Sequence, residues 1–516
     1  MSVSLSTALA RIAHRMPDAP ALHFACGSMT FAELDELARR YAAGFERIGI
    51  RRGDRMAIWL PNTPDWLGAF FGSARLGAIA LLTNTRFRSA EIGDLLARTE
   101  ARTIIYQPDF RSIDFSGVLK ECLPHLPNLQ TIIAVGAMTD ALPGRPVLNT
   151  EFLLDGRPMD RNDGTADAPC LLFTTSGTTK RPKLVMHTHE SVMAHAADVA
   201  SGFGFADDTA GTLQMLPLCG TYGFTQAMAN LLAGRPLAMH ATFDAEVASM
   251  LIARHGIRRA ALTDEMVRRI CALPSSLPRG FNVIIGSRAQ GLVPVAEEHH
   301  LKITGIYGSS EVQALFSRRQ SGRSTLEMAA GGGQPVSAEA QVRARDPDTG
   351  QLCAPGEAGE LEIQGPSVTM GYFGDQEATA TAFTSDGFFR TGDLGTVEAD
   401  GSFTYLTRFG EAFRVNGFLV NPAEIDAVVL EHPMVNQCQT VAVEQGGKAH
   451  AVAFVIAQDR GSVPEQSLRD FCVARMATYK VPVRFVRVDE FPVIESANNT
   501  KIHRAKLRDM AAALLG

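Results

Sequence analysis

The 516-residue chain has no Cys-x-x-Cys pair, no excess of positive charge and no long uninterrupted apolar run. Its cysteines, Cys26, Cys122, Cys170, Cys219, Cys271, Cys353, Cys438 and Cys472, are scattered. Neither a zinc site nor a disulfide framework is therefore expected, and reduced thiols are the simpler reading. The net charge of −6 leaves no electrostatic footprint for nucleic acid or an anionic membrane. The most apolar stretch, 67–82, is interrupted by Ser73 and Arg75 and is too short to cross a bilayer. The first fifteen residues have no continuous apolar core and are broken by Arg11, so they read as an amphipathic helix instead of a signal peptide. No internal repeat or low-complexity tract is present. These absences point to a soluble, cytoplasmic protein without nucleic-acid or membrane partners. The length suggests about two to four domains.

What is present is a regular alternation of short apolar runs and helical periods. Thr30 and Glu33 form a capping box, and Phe31, Leu34, Leu37, Ala38, Tyr41 and Phe45 follow at helical spacing. A strand is expected at 55–60, a Gly/Ala-rich helix at 66–77, and strands at 78–82, 103–106 and 131–135. Such alternation implies a mainly parallel sheet covered on both faces. Residues 137–168, rich in Pro, Gly and Asp, read as a surface connection. A helix is expected at 187–199, a strand at 213–218, a small-residue helix at 225–232, and buried strands at 258–262 and 283–286. From about residue 333 the pattern changes, and 340–345 and 359–364 alternate polar and apolar as antiparallel strands do. After a boundary in 401–417 come an N-cap at Asn421 with Pro422 and Glu424 behind it, strands at 439–443 and 449–456, a capped helix opening at Ser467 and a strand at 483–488. The fold class is α/β: an N-terminal domain, 1–407, of mainly parallel sheets covered by helices with a small β subdomain at about 333–407, then an α+β domain, 408–516.

Chemistry concentrates in a few segments. Leu171 to Phe173 form a buried-strand run, and five of the next six residues, Thr174 to Thr179, carry hydroxyls; the other is Gly177. Lys180, Arg181 and Lys183 follow. Such a loop can turn N–H groups, hydroxyls and ammonium groups toward a polyphosphate, although it is not a Walker A loop and composition alone equally allows a polar surface turn. Tyr307-Gly-Ser-Ser-Glu311 offers a ring to stack on a purine, hydroxyls for phosphate oxygens and a carboxylate for Mg²⁺. Phe388-Phe-Arg-Thr-Gly-Asp393 ends in an acid on a tight turn, able to accept hydrogen bonds from two ribose hydroxyls.

The order Thr-Ser-Gly-Thr-Thr-x-x-Pro-Lys at 175–183 resembles the phosphate loop of the adenylate-forming superfamily, which contains acyl-CoA synthetases, peptide-synthetase adenylation domains and luciferases. Tyr307 to Glu311 matches that superfamily's Tyr-Gly-x-Thr/Ser-Glu segment. Gly286-Ser-Arg-Ala-Gln290 is similar to its adenine-side loop, with Arg288 and Gln290 departing from the commoner small residues. Arg408 falls where the family has a hinge-adjacent arginine that reaches the ribose together with Asp393, and Pro492 to Arg504 resembles the C-terminal segment that carries a catalytic lysine, here Lys501. Departures are Lys180, Thr500 and Leu184 in place of common glycines, and Gly410 near the pivot where Asp or Lys is usual. These segments occur in the family's order along nearly the whole chain, and the protein most resembles an acyl-CoA ligase.

The resemblance implies ATP, Mg²⁺ and a thiol acceptor, either CoA or the phosphopantetheine of a carrier protein, and two half-reactions: acyl-adenylate formation, then thiol attack. It implies nucleotide contacts from Thr175, Ser176, Gly177, Thr178, Thr179, Lys183, Ser287, Ala289, Tyr307, Gly308, Ser309, Ser310, Asp393, Arg408, Asn416 and Gly417. Ser310 would meet the α-phosphate, Glu311 would hold Mg²⁺, and Lys501, Thr178 and Glu311 would be catalytic. It also implies a C-terminal domain that rotates between steps, bringing in the loop at Asn416 and Gly417. The acyl segment offers Cys219, Gly220, Tyr222 and Gly223 and no acid, which argues against an α-amino acid. An apolar or aryl carboxylic acid is expected, medium-chain fatty ahead of aryl. A nucleotide-binding homologue without turnover is the rival from another class.

Overall fold

The computed structural model describes the chain except for residues 1–2, 109, 112, 137–141, 143, 176–181, 287–288, 321, 410–412, 416–417, 421, 446–447, 459–462, 477–479, 496–499 and 516. Contacts divide it into two compact units, one of Met1–Gln341 with Ile363–Phe389 and one of Val342–Glu362 with Arg390–Gly516.

The first unit is α/β, as the alternating pattern requires. Its largest sheet runs, in spatial order, Val147–Asn149, Thr131–Ala134, Thr103–Tyr106, Arg55–Trp59, Ile79–Leu82 and Pro169–Thr174, all parallel. Two antiparallel strands complete it, Leu184–Thr188 and Gly371–Tyr372. Every residue of Thr103–Tyr106 and Thr131–Ala134 is buried, which is why these strands read as continuous apolar runs. In a second sheet, Arg259–Ala261, Asn282–Ile285 and Lys302–Ser309 are parallel and continue antiparallel into Gln313–Arg318 and Gly332–Pro335. A smaller sheet joins Thr212–Gln214, Leu237–Met239, Pro20–Phe24 and Gly27–Thr30.

The capping box starts the helix Phe31–Arg47: the Glu33 N–H donates to Thr30 Oγ1 at 3.2 Å and the Thr30 N–H to Glu33 Oε2 at 2.7 Å. Pro64–Leu76 packs against it at backbone range. A Cβ on Gly68 would lie 2.7 Å from Tyr41 Cδ2, and one on Gly72 would lie 2.7 Å from Tyr41 Cβ. The small-residue composition is what allows the approach, and the buried Tyr41 hydroxyl is satisfied by Asp65 at 2.6 Å. The amphipathic N-terminal helix is Leu5–Arg15, with Leu5, Leu9 and Ile12 buried.

Three expectations are corrected here. The supposed connection 137–168 contains the edge strand Val147–Asn149 and the helix Thr150–Leu154, capped by Asn149; such short edge elements carry too little periodicity to read. The helix expected from 187 starts at His189, because Leu184–Thr188 pairs antiparallel with Pro169–Thr174 and Thr188 is its N-cap. The strand at 213–218 shrinks to Thr212–Gln214 and the following helix begins at Thr221, not 225. Gly220 gives that helix an extended cap, and a Cβ on Gly223 would sit 2.4 Å from the Pro217 carbonyl oxygen, so only glycine lets the first turn fold back onto 217.

The second unit contains antiparallel strands Phe389–Val397 and Phe403–Arg408, followed in the sheet by Ala358–Gln364 and Gln341–Arg345. Glu362 is fully buried and accepts from Arg343 Nε at 2.6 Å and Arg345 Nε at 2.7 Å. A hairpin, Val435–Gln445 with Lys448–Ala457, pairs in parallel with Arg484–Arg487. The helices Pro422–Leu430 and Glu465–Val473 pack on it through Ile425, Val429, Leu468 and Cys472. The second helix opens two residues before Ser467, with Pro464 as its N-cap. All eight cysteines are free thiols; Cys26 is exposed, Cys353 half-buried and the others buried. Among the described residues no helix is long and apolar enough to cross a membrane.

Candidate active site

The phosphate-loop segment connects two strand ends of the large sheet. Its stem is closed by backbone and side chain together: the Thr175 N–H donates to the Lys183 carbonyl at 3.0 Å, and the Lys183 N–H to Thr175 Oγ1 at 3.1 Å. Ser176, Gly177, Thr178 and Thr179 lie outside the described residues, as do Ser287, Gly410, Asn416 and Gly417. Ala289 is fully buried and opens a short 3-10 turn, Ala289–Leu292.

The strand Lys302–Ser309 delivers Tyr307, Gly308 and Ser309 to a turn that carries Ser310 and Glu311. Ser309 Oγ accepts from the N–H groups of Glu311 at 3.2 Å and Val312 at 3.4 Å, a hydroxyl-closed turn that sets the direction of both following side chains. Gly308 is required by space, since a Cβ there would stand 2.6 Å from Ala314 Cα. Tyr307 is buried, its ring edge-on to Phe316 at 6.4 Å. Gln313 holds the turn open at φ +61°, with its amide donating to the Ser191 carbonyl at 3.1 Å. Such a left-handed non-glycine residue costs free energy and persists because the surroundings hold it.

Other elements meet this turn from three sides. His187 Nε2 donates to the Ser310 carbonyl at 2.8 Å, and His195 Nε2 to that of Ala314 at 2.7 Å. Thr221, from the acyl segment, donates to Ser310 Oγ at 3.3 Å. Tyr372 donates its hydroxyl to Glu311 Oε1 at 3.1 Å, and Thr369 donates its N–H to the Glu311 carbonyl at 2.7 Å. Glu311 is half-buried and makes no ion pair among the described residues, and its carboxylate suits a hard cation. Among the described residues no three acid, His or Cys side chains converge into a metal cage. A cation held here would thus take most of its oxygens from phosphate and water. In the acyl segment, Cys219 is buried and its thiol pushed up to about 12 by desolvation. The half-buried Tyr222 donates to the Ile284 carbonyl at 2.6 Å, and burial pushes its phenol well up.

In the second unit Asp393 and Arg408 face each other across paired strands, with Arg408 Nη1 donating to Asp393 Oδ1 at 2.9 Å. Asp393 lies within the strand Phe389–Val397 and not on the tight turn expected from the sequence; Gly392, at φ +67° in that strand, gives its N–H to Glu360. The backbone at Lys501 lies in the hairpin Val493–Glu495 with Thr500–Ile502, opposite Ile494.

Sequence reading missed Tyr372, Thr369 and the histidines, and placed Thr221 only in the acyl segment.

Three histidines under this site are held neutral. Burial lowers His187, His189 and His195 from 6.5 to about 4. The unfolded chain therefore binds protons between those values that the folded chain does not. Stability should be constant above the ordinary histidine range and fall as pH drops from 6.5 toward 4, by about 1.4 kcal/mol per pH unit for each histidine that titrates only on unfolding. Urea midpoints at pH 7.5 and 5.0 measure this, and His195→Gln, whose amide can still reach Ala314, should flatten the dependence. A wild-type midpoint that does not move would overturn it.

The family profile described as AMP-binding enzyme matches residues 9–373, and that of the AMP-binding enzyme C-terminal domain matches 424–498. The chain belongs to this family, the adenylate-forming superfamily, and is most like an acyl-CoA ligase. It is 29% identical to the 2-succinylbenzoate–CoA ligase of Geobacillus kaustophilus (strain HTA426), over 90% of each chain. It is 26% identical to 4-coumarate–CoA ligase 1 of Solanum tuberosum, covering 94% of this chain and 89% of that one. The fold is shared with the anthranilate CoA ligase AuaEII, solved with anthranoyl-AMP, at a TM-score of 0.84, 22% identity and coverage of 100% of this chain and 98% of that one.

Proposed function

We propose that the protein activates a carboxylic acid with MgATP and transfers the acyl group to the thiol of CoA. The observation that carries this reading is the turn at Ser310 and Glu311, which joins the acyl segment through Thr221 and the phosphate-loop stem through His187. In the first half-reaction an oxygen of the acid attacks the α-phosphorus and the bond to pyrophosphate breaks. Thr175 to Lys183 bind the leaving phosphates, and Ser310 positions the α-phosphate. Glu311 holds Mg²⁺, which neutralises phosphate charge when bound. Lys501 would supply an ammonium to the reacting oxygens, where a fixed charge lowers the barrier by orientation and charge. Asp393 accepts from the ribose hydroxyls, with Arg408 beside it. In the second half-reaction the thiol sulfur attacks the acyl carbon, its proton is lost and AMP leaves. A boundary at 407/408, as the family resemblance implies, would let the C-terminal domain turn between these steps, exchanging Lys501 for the loop at Asn416 and Gly417.

An aryl acid is the substrate class favoured over a medium-chain fatty acid. The relatives' names, 2-succinylbenzoate and 4-coumarate, support the aryl side, and the missing acid in the acyl segment weighs against amino acids. The test is pyrophosphate release with MgATP across aryl, fatty and amino acids, with and without CoA. Release with an aryl acid and formation of its CoA thioester is the expected result. Adenylate without thioester would point to a carrier protein as acceptor. ATP binding with no release for any acid would favour the nucleotide-binding homologue.

A further inference from the structure

In the first unit a tyrosine stands between two opposite charges. The Lys183 ammonium lies 4.4 Å from the centroid of the Tyr372 ring, and the hydroxyl at the far end of that ring donates to Glu311 Oε1 at 3.1 Å. Among the described residues Lys183 makes no ion pair, and Tyr372 provides the one hydrogen bond to the Glu311 carboxylate. A direct pair between the ammonium and the carboxylate would satisfy each at the expense of any ligand. The ring holds the cation by its π face and the hydroxyl holds the anion, so both charges stay available.

Tyr372 is fixed for this task by its backbone. It pairs with Val185 beside the phosphate-loop stem, and its N–H donates to Thr379 Oγ1 at 2.9 Å. Gly371, at φ +129°, brings the strand against Thr379 so closely that a Cβ would lie 2.6 Å from Thr379 Cγ2. The neighbouring Thr369 donates its N–H to the Glu311 carbonyl and its hydroxyl to the Met186 carbonyl, both at 2.7 Å. One short segment thus locks the metal-side turn and the phosphate-side strand to each other.

We propose that Tyr372 is a positioning residue that orients Glu311 for Mg²⁺ and keeps Lys183 unpaired for the polyphosphate. The inference rests on the roles proposed above for Lys183 and Glu311. It is tested by calorimetric titration of ATP into the full chain in EDTA and in excess Mg²⁺, which reads binding apart from turnover. Tyr372→Phe keeps the ring and loses the hydroxyl. Affinity in EDTA should stay within about twofold, while the gain conferred by Mg²⁺ falls about tenfold, the size of a lost hydrogen bond to a charged group. Tyr372→Ala should weaken binding in both conditions, and Lys183→Met should weaken binding in EDTA while leaving the Mg²⁺ gain intact. Glu311→Gln separates the two levels. If that variant keeps the full Mg²⁺ gain, the reading of Glu311 itself is wrong. If it loses the gain while Tyr372→Phe retains it, the positioning role of Tyr372 is overturned, as it is if Lys183→Met abolishes the Mg²⁺ gain.

Discussion

Replacing Lys501 with alanine is expected to slow acyl-adenylate formation by about 10²–10³-fold, the loss seen when one preorganised charge donor to a transition state is removed. Thioester formation from supplied acyl-adenylate should change little, because the proposed role of the lysine is confined to the step in which the carboxylate oxygen and the α-phosphate, both anionic, are forced together. Val493–Glu495 and Thr500–Ile502 form a two-stranded hairpin with Lys501 opposite Ile494, so the residue sits on a paired strand and not on a free tail. A paired backbone limits the positions open to a long side chain, and the benefit of a fixed charge comes from not having to be organised at the moment of reaction. Pyrophosphate exchange reports the first half-reaction and CoA thioester formation from synthetic adenylate the second. Equal losses in both would assign the effect to folding. No loss in the first would remove Lys501 from the mechanism.

The largest effect on stability is expected at Glu362. Its carboxylate is fully buried and accepts from two guanidinium groups, Arg343 Nε at 2.6 Å and Arg345 Nε at 2.7 Å, with Arg345 Nη2 adding a contact at 3.1 Å. Truncation to alanine would leave two largely covered cations facing one another around an empty space. Breaking a buried ionic group in this way costs about 3–5 kcal/mol. Glu362→Gln retains the shape and acceptor oxygen and should cost less. Hydrogen exchange across Ala358–Gln364 measures the change where it arises, with faster exchange in the alanine variant than in the glutamine variant. Equal protection in wild type and Glu362→Ala would show that the arginines find other partners and that the cluster contributes nothing.

Much of this architecture was legible in the chain because its signals are local. The Thr30–Glu33 box, the four-residue strands at 103–106 and 131–134 and the glycine-rich helix each declare themselves within a dozen residues. The segments carrying Thr175, Ser310, Asp393 and Lys501 stood out through their resemblance to the family's segments, because each is short but they follow one another in the family's order. What could not be read depends on meetings between distant residues. Tyr372 and Glu311 are 61 positions apart, Thr221 and Ser310 are 89 apart, and His187 and Ser310 are 123 apart. Nothing near Tyr372 in sequence distinguishes it from a core tyrosine. The strand Leu184–Thr188 was hidden for a related reason: its partner is supplied by the fold, and its last residues double as a helix cap.

The burial of the thiols has a chemical consequence. An acyl-adenylate is a mixed anhydride, and any thiolate within reach can intercept it. Cys219 lies in the proposed acyl segment, yet desolvation pushes its thiol up to about 12, leaving it almost entirely un-ionised near neutral pH. Burial also pushes up the thiol of Cys170, on the strand Pro169–Thr174 that runs into the phosphate loop, and raises that of Cys472 in the second unit to about 11. Since the thiolate is the nucleophile, these side chains are poor competitors for an activated acyl group. The chain can carry sulfur through its core without acylating itself, and an incoming thiol with an ordinary ionisation keeps the kinetic advantage.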